Sequence, residues 1–246
     1  MALVDDILTP IVRNIVPPSL AWLRARGTLE AMKLNLTNDE LLSTTRSVRK
    51  RLDFDRPVER AVVEECLNLA LQAPTGSNSQ DGTGIVVEDA AKRKALSDIY
   101  KENFKLYASL PGRKYADGDQ RIAQMPKVRD SAMFLADEMH RAPMLMIPCI
   151  EGRLENVDVA TGAGGWGSLL PAVWSFMLAL RSRGMGSAWT TIHLILEGEK
   201  KAAEILGVPY DKITQGGLFP IAYTVGTDFK PAKRLPLEKV LHWDKW

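Results

Sequence analysis

The 246-residue sequence predicts an α+β layered domain, and three observations carry that reading. Apolar segments follow one another in the order helix, strand, helices, strand, helix, strand, which is not the regular βαβ alternation of a doubly wound nucleotide fold. Hydrophobic residues make up 46% of the chain, ample for a sizeable core. No internal repeat, low-complexity tract or interdomain linker divides it. A single domain over residues 39–246 follows, preceded by a helical extension over residues 1–38.

Residues 3–34 read as two amphipathic segments parted by Pro17-Pro18, an arm packed on its own body or on a sister subunit. After Thr37-Asn38 a helix start leads towards Arg46. Pro57 stands in the first turn of a strong helix that places Val58, Val62, Cys66, Leu69 and Ala73 on one face. Residues 84–88 read as a buried strand, 90–107 as a helix, 109–120 as a polar loop and 121–140 as a further helix. The apolar run at 143–150 is a second buried strand. Residues 151–167, rich in Gly and short polar side chains, read as a mobile loop wall. A helix then spans 169–183 and ends at Gly184 as a C-cap. Residues 187–191 read as extended, 199–206 as a helix and 218–225 as a third strand, before a basic and apolar tail at 234–246.

Several function classes find no support. Lys and Arg number 32 against 30 Asp and Glu, so a net charge of +2 gives no global field to gather nucleic acid or an anionic membrane. The longest apolar stretches are broken by charge or Pro short of a membrane span, so membrane association is not expected. Asp5 and Asp6 follow Met1 with no basic leader, and a cytoplasmic location is the expectation. Cys66 and Cys149 sit far apart in apolar runs, as core residues do. His140, His193 and His242 lack metal spacing, and no GxSxG elbow is present, which leaves metalloenzyme and hydrolase chemistry unsupported. Residues 162–167 match GxGxxG in form. The preceding strand, however, ends near Ile150 and residues 185–190 contain no acid, so a dinucleotide fingerprint is not made.

Two runs carry chemistry. Thr45-Arg46-Ser47-Val48-Arg49 offers two guanidinium groups and a hydroxyl within four residues, a donor set suited to a phosphate or another planar anion, with Lys50 adjoining. Ala73-Pro74-Thr75-Gly76-Ser77-Asn78-Ser79-Gln80 is a turn on which Thr75, Ser77, Asn78 and Gln80 crowd short polar groups around one ligand edge.

Together these runs resemble the FMN-dependent nitroreductase family, whose members open with an Arg-Ser-x-Arg element and continue into an Ala-Pro-Ser-like turn ending in Asn-x-Gln. Gly184-Met185-Gly186-Ser187-Ala188-Trp189-Thr190-Thr191 is similar to the family's Gly-Leu-Gly-Ser-x-Trp-type segment. Lys233-Arg234 stands where members carry a further phosphate-binding cation. There are two departures: Thr45-Arg46 replaces the two basic residues of many members, and Asp81-Gly82-Thr83 replaces their Pro-Trp.

The resemblance implies a mixed, mostly antiparallel sheet flanked by helices and an intertwined homodimer. The C-terminal tail would lie on the partner, giving Trp243 and Trp246 a surface to bury them. Residues 162–167 would begin the helix beneath the dimer and the flavin cleft. FMN would be held by Arg46, Ser47, Arg49 and Lys50, by Thr75, Ser77, Asn78 and Gln80, by Trp189, Thr190 and Thr191, and by Lys233 and Arg234. These segments are expected to converge on one flavin. Arg49 is the cation expected near flavin N1 and O2, where negative charge gathers on reduction. NADPH or NADH would be the donor, and a nitroaromatic, quinone or similar small aromatic the acceptor. Hydride passes through flavin N5, so no catalytic side chain is assigned. Relatives that dehalogenate aromatics or fragment flavin would keep the site and change the chemistry. A flavin-sequestering protein with little turnover is the reading from a different class.

Overall fold

The computed structural model describes residues 33–246; the two amphipathic segments and most of the 1–38 extension lie outside the described residues. Thr37 starts α1 (Asn38–Thr44) with a capping box: its Oγ1 accepts from the Glu40 N–H at 3.2 Å, and the Glu40 carboxylate accepts from the Thr37 N–H at 2.8 Å. α2 (Arg60–Ala70) begins three residues beyond Pro57 and buries Val62, Val63, Cys66 and Ala70. Leu69, expected on that face, is 51% exposed. With Val63 also buried, the buried face centres between Cys66 and Ala70, and Leu69, about 100° around the axis from Ala70, falls on its flank.

The sheet is built from β1 (Leu52–Asp53), β2 (Gly82–Val87), β3 (Met144–Glu151), β4 (Met185–Ser187), β5 (Ile213–Gln215) and β6 (Phe219–Thr224). β3 is its centre: β2 pairs along it from Gly82↔Ile150 to Val87↔Leu145, while residues 144–146 pair with β6 and 149–151 with β5. β6 continues to β1 and β4. Every one of these ladders is antiparallel, and among the described residues parallel contact is confined to isolated bridges such as Ser47↔Ser187. The central strand is buried at every position from Met144 to Ile150, as its unbroken apolar run requires. On the core side, Leu96, Tyr100 and Phe104 of α3 (Ala90–Ser109) and Leu135 of α4 (Met125–Glu138) pack with Leu145, Ile147 and Leu218. The fold is the open antiparallel α+β layering that the sequence implied.

One element is longer than expected. The Gly-rich stretch assigned to a loop over 151–167 is helical from Val159 onward, as the first turns of α5 (Val159–Ser182). Asp158 caps it, its carboxylate accepting from the Ala160 and Thr161 N–H groups at 3.0 and 3.1 Å. A Cβ at Gly165 would lie 2.9 Å from the Leu154 methyls, so glycine lets that leucine close on the helix. The cap and this close packing outweigh the poor helix propensity of four glycines. The extension makes α5 the one described helix long and apolar enough to cross a membrane by length and composition, contrary to the expectation of short apolar stretches. Within the fold it serves as a core helix, burying Leu169, Val173, Phe176, Met177 and Leu180, yet only 39% of its most apolar stretch is buried. α6 (Gly198–Leu206) ends at Gly207, whose φ of 72° gives the left-handed cap.

Candidate functional site

The Arg46–Lys50 element is pinned between α1 and β1 by the Ser47↔Ser187 bridge and by Val48, whose N–H donates to the Ser187 carbonyl at 2.8 Å. Val48 is buried, so its neighbours on either side turn outward. The exposed Arg46 donates from Nη1 to the Lys230 carbonyl at 3.1 Å, which ties the element to the chain beyond β6. Lys50 pairs with Asp130 at 2.5 Å, and Arg51 with Asp228 at 2.7 Å. Arg49 differs. Partly buried, it has no carboxylate partner among the described residues, and its one side-chain hydrogen bond is a long 3.5 Å contact from Nη1 to Ser131 Oγ. Burial lowers the guanidinium pKa from its ordinary value; the Tyr100 phenol opposes that effect and the Arg46 cation adds to it. A partly desolvated cation with no counter-ion among the described residues suits an anion-binding position.

Beside this element runs the segment after β4. The Trp189 ring meets Phe219 at a centroid distance of 5.5 Å, tilted by 48°. Thr190 is buried: its hydroxyl donates to the Leu218 carbonyl at 2.6 Å, and the Leu218 N–H returns a bond to the Thr190 carbonyl at 2.8 Å. Its proton is therefore committed to holding the strand edge, and only its lone pairs remain for a ligand. Thr191 is exposed at the start of a single 3-10 turn, Ile192–Leu194.

The polar turn has an unusual backbone. Ser77, Asn78 and Gln80 have φ of 52°, 55° and 51°, three non-glycine residues in the left-handed region within four positions. Such conformations cost about 1 kcal/mol or more each and persist only where surroundings impose them. Here the Gln80 N–H donates to Thr75 Oγ1 at 3.2 Å, Gln80 Nε2 donates to Asn78 Oδ1 at 3.2 Å, and the Gly76 N–H donates to Ser168 Oγ on α5 at 2.8 Å. Ser168 Oγ donates in turn to the Gly164 carbonyl at 2.8 Å. Ser168, which no sequence motif marks, thus anchors the turn. Ser77, Asn78 and Gln80 remain exposed.

The structure joins some of the expected site segments directly and not others. The 46–50 element is bonded to the end of β4 at Ser187 and to the chain at Lys230. Among the described residues, no hydrogen bond or ion pair joins the 75–80 turn to the 46–50 element. The turn is fastened to α5, where Leu169 lies within 4 Å of where a Cβ at Gly82 or Gly216 would stand. A Cβ at neighbouring Gly217 would in turn lie 2.8 Å from the Thr190 carbonyl. Lys233 and Arg234 are exposed and line a hollow of about 450 Å³ with Gln120, Arg121, Gln124, Leu235 and Val240. Arg46 is not among its walls.

An open antiparallel sheet walled by helices, with its cationic element docked at the edge of β4, defines the nitroreductase-like class of α+β domains. The model of the Nitroreductase family matches residues 42–223, and the chain belongs to that family. A curated relative from Thermus thermophilus, named as an NADH dehydrogenase, is 24% identical over 212 residues, 80% of this chain and 91% of the relative. Among solved structures, the FMN and NADPH-dependent nitroreductase NfnB from Sphigopyxis sp. strain HMH superposes with a TM-score of 0.64 at 21% identity, covering 86% of this chain and all of that one. Oxidised iodotyrosine deiodinase bound to FMN and 3-iodo-L-tyrosine superposes with a TM-score of 0.62 at 18% identity, covering 83% of this chain and 98% of that one.

Proposed function

We propose that this chain is an FMN-dependent NAD(P)H oxidoreductase that reduces nitroaromatics, quinones or similar small aromatic acceptors, working as a cytoplasmic homodimer. The observation that carries the reading is Arg49, a partly buried cation with no carboxylate partner among the described residues, beside two charged neighbours that are already paired. The donor set fits the group: Arg46 and Ser47 suit its phosphate, and Arg49 suits the pole that turns negative on reduction. Lys50 adds charge that Asp130 largely compensates. Ser77, Asn78 and Gln80, held in place by Thr75 and Ser168, offer amide and hydroxyl groups to the polar ring edge. Trp189, Thr190 and Thr191 form the wall behind. When bound, FMN supplies two-electron chemistry by taking hydride from a nicotinamide donor and passing it to the acceptor. The protein's part is to hold charge and exclude water; it needs no proton-transfer dyad. NADH and NADPH stand in the names of the Thermus relative and of NfnB, which supports a nicotinamide donor.

The homodimer rests on apolar surface. Val159 at the start of α5 is 89% exposed, and Trp243 and Trp246 are 79% and 101% exposed. A second copy of the chain is the partner best suited to cover such surface. Because the 75–80 turn is fastened to α5, the flavin seat lies against that interface. Visible spectra of the purified protein before and after anaerobic NADPH and NADH test the reading. About one FMN per protomer, bleached by either donor, is the expected result; a colourless protein that cannot be reconstituted sinks it. Flavin that binds yet reduces no acceptor would select a sequestering role.

A further inference from the structure

We propose that Lys127 of α4 is a further contact to the flavin phosphate, closing a cationic bay that Arg46, Lys233 and Arg234 begin; this rests on the oxidoreductase reading above. One face of α4 runs from the 46–50 element to the cations of the tail. At one end, Asp130 pairs with Lys50 at 2.5 Å and Ser131 Oγ lies 3.5 Å from Arg49 Nη1. On the same side, Phe134 stacks on Phe54 with ring centroids 6.3 Å apart and planes at 7°. At the other end, Gln124 lines the hollow of about 450 Å³ with Lys233 and Arg234, and Gln120 just before it donates from Nε2 to the Arg234 carbonyl at 3.0 Å. Arg46 donates in turn to the carbonyl of Lys230, shortly before that pair, at 3.1 Å.

The helix period puts Lys127 on that face. At about 100° per residue it stands about 40° from Ser131 and about 60° from Asp130, between the two in direction and one turn nearer Gln124. It is exposed and makes no hydrogen bond or ion pair among the described residues. The acids at either end are engaged: Asp130 holds Lys50, and Asp119 accepts from Arg121 Nε at 3.0 Å and from its Nη2 at 2.6 Å. Arg46, Arg49, Lys127, Lys233 and Arg234 are thus left without a carboxylate partner among the described residues. Cations brought together in this way repel one another unless they share an anion. A phosphate monoester, with a charge of about −1.5 to −2 and three acceptor oxygens, can take Lys127 from the α4 side while Arg46 and the tail pair hold the others. Arg129 carries the same charge about 160° round from Ser131, on the opposite face, and so serves as the control.

Fluorescence titration of flavin-free protein with FMN and with riboflavin, which lacks only the phosphate, tests the assignment. Lys127→Gln should raise the FMN dissociation constant about tenfold and leave that for riboflavin unchanged, since a charge-assisted contact is worth about that factor. Lys127→Arg should keep most of the affinity and Arg129→Gln all of it, with the melting temperatures of the flavin-free variants matching the wild type. Unchanged FMN affinity in Lys127→Gln overturns the proposal. So does an equal loss for riboflavin, or an equal loss in Arg129→Gln, which would mean general surface charge. FMN affinity that is kept while KM for 4-nitrobenzoate rises would give the cation to an anionic acceptor and overturn it likewise. A wild type that takes up neither flavin sinks the oxidoreductase reading and this contact with it, whereas a wild type and a Lys127→Gln variant that bind FMN equally sink the contact alone.

Discussion

Arg49→Gln separates a flavin-tuning cation from a structural one. Arg49 is partly buried, has no ion pair among the described residues and makes only a 3.5 Å contact to Ser131. Its removal should therefore leave the apoprotein as stable as before, within about 0.5 kcal/mol, because relief of a desolvated charge offsets the lost packing of its stem. With flavin bound, the same change should matter. Two unit charges at about 4 Å interact by about 4 kcal/mol at an effective dielectric near 20. Solvent reaching a partly exposed guanidinium roughly halves that or more, leaving about 1.4 to 2 kcal/mol. For a two-electron couple this lowers the midpoint potential by about 30 to 45 mV, since the reduced anionic form loses its counter-charge. Dye-equilibrated reductive titration of the FMN-loaded wild type and variant at pH 7 measures the shift, and urea denaturation of the flavin-free proteins measures the stability. An unchanged potential at equal FMN content, or an apoprotein weakened by more than about 1 kcal/mol, would refute the argument.

Four further outcomes follow from other parts of the molecule. A Cβ at Gly198 would lie 1.9 Å from the His193 carbonyl oxygen, so Gly198→Ala should cost about 3 kcal/mol or more in urea denaturation. Gly165→Ala meets only movable Leu154 methyls, gains helix propensity, and should stay within about 1 kcal/mol of the wild type. Burial pushes the His193 pKa down to about 4 from 6.5. Gln215 Nε2 donates to the Glu199 carbonyl, which leaves its Oε1 to accept from His193 Nε2–H and the Nδ1 lone pair buried without a partner. The unfolded chain thus binds the proton first, so this stability is full above about pH 6.5 and is lost by about 3 kcal/mol as pH falls towards 4. His193→Gln should flatten that limb of the melting-temperature profile. Light scattering after gel filtration should give twice the 27.3 kDa chain mass, and deletion of residues 237–246 should weaken the dimer by removing Trp243 and Trp246; a monomeric wild type would refute the interface.

Legibility in the sequence tracks the range of the interaction that decides each feature. The central strand is plain because Met144 to Ile150 form one apolar run, and burial on both faces needs nothing more. The last strand is legible for the same local reason, and α3 and α6 because each carries its buried residues on one face. β1 and β5, of two and three residues, are not, because their existence depends on β6 and β3 supplying partners. The start of α5 reads as a loop because glycine argues against a helix locally, while Asp158 and Leu154 decide otherwise from outside the run. In the site, the density of donors in Arg46, Ser47 and Arg49 is readable at once. That Lys50 is occupied by Asp130, 80 residues away, is not.

The same distinction explains the turn at 75–80. Its polar residues are visible in the sequence, but its conformation is one that Ser77, Asn78 and Gln80 would not choose alone. What imposes it is a bond from Gly76 to Ser168, 92 residues on, backed by the Gly164 carbonyl in the glycine-rich start of α5. The glycines that disguise the helix in the sequence therefore lie within the structure that holds the strained turn. Strain of this kind survives when a function depends on where the donors point, and its support comes from elements with no chemistry of their own. A residue such as Ser168 thus belongs to the site by mechanics rather than by contact, and only the fold could disclose it.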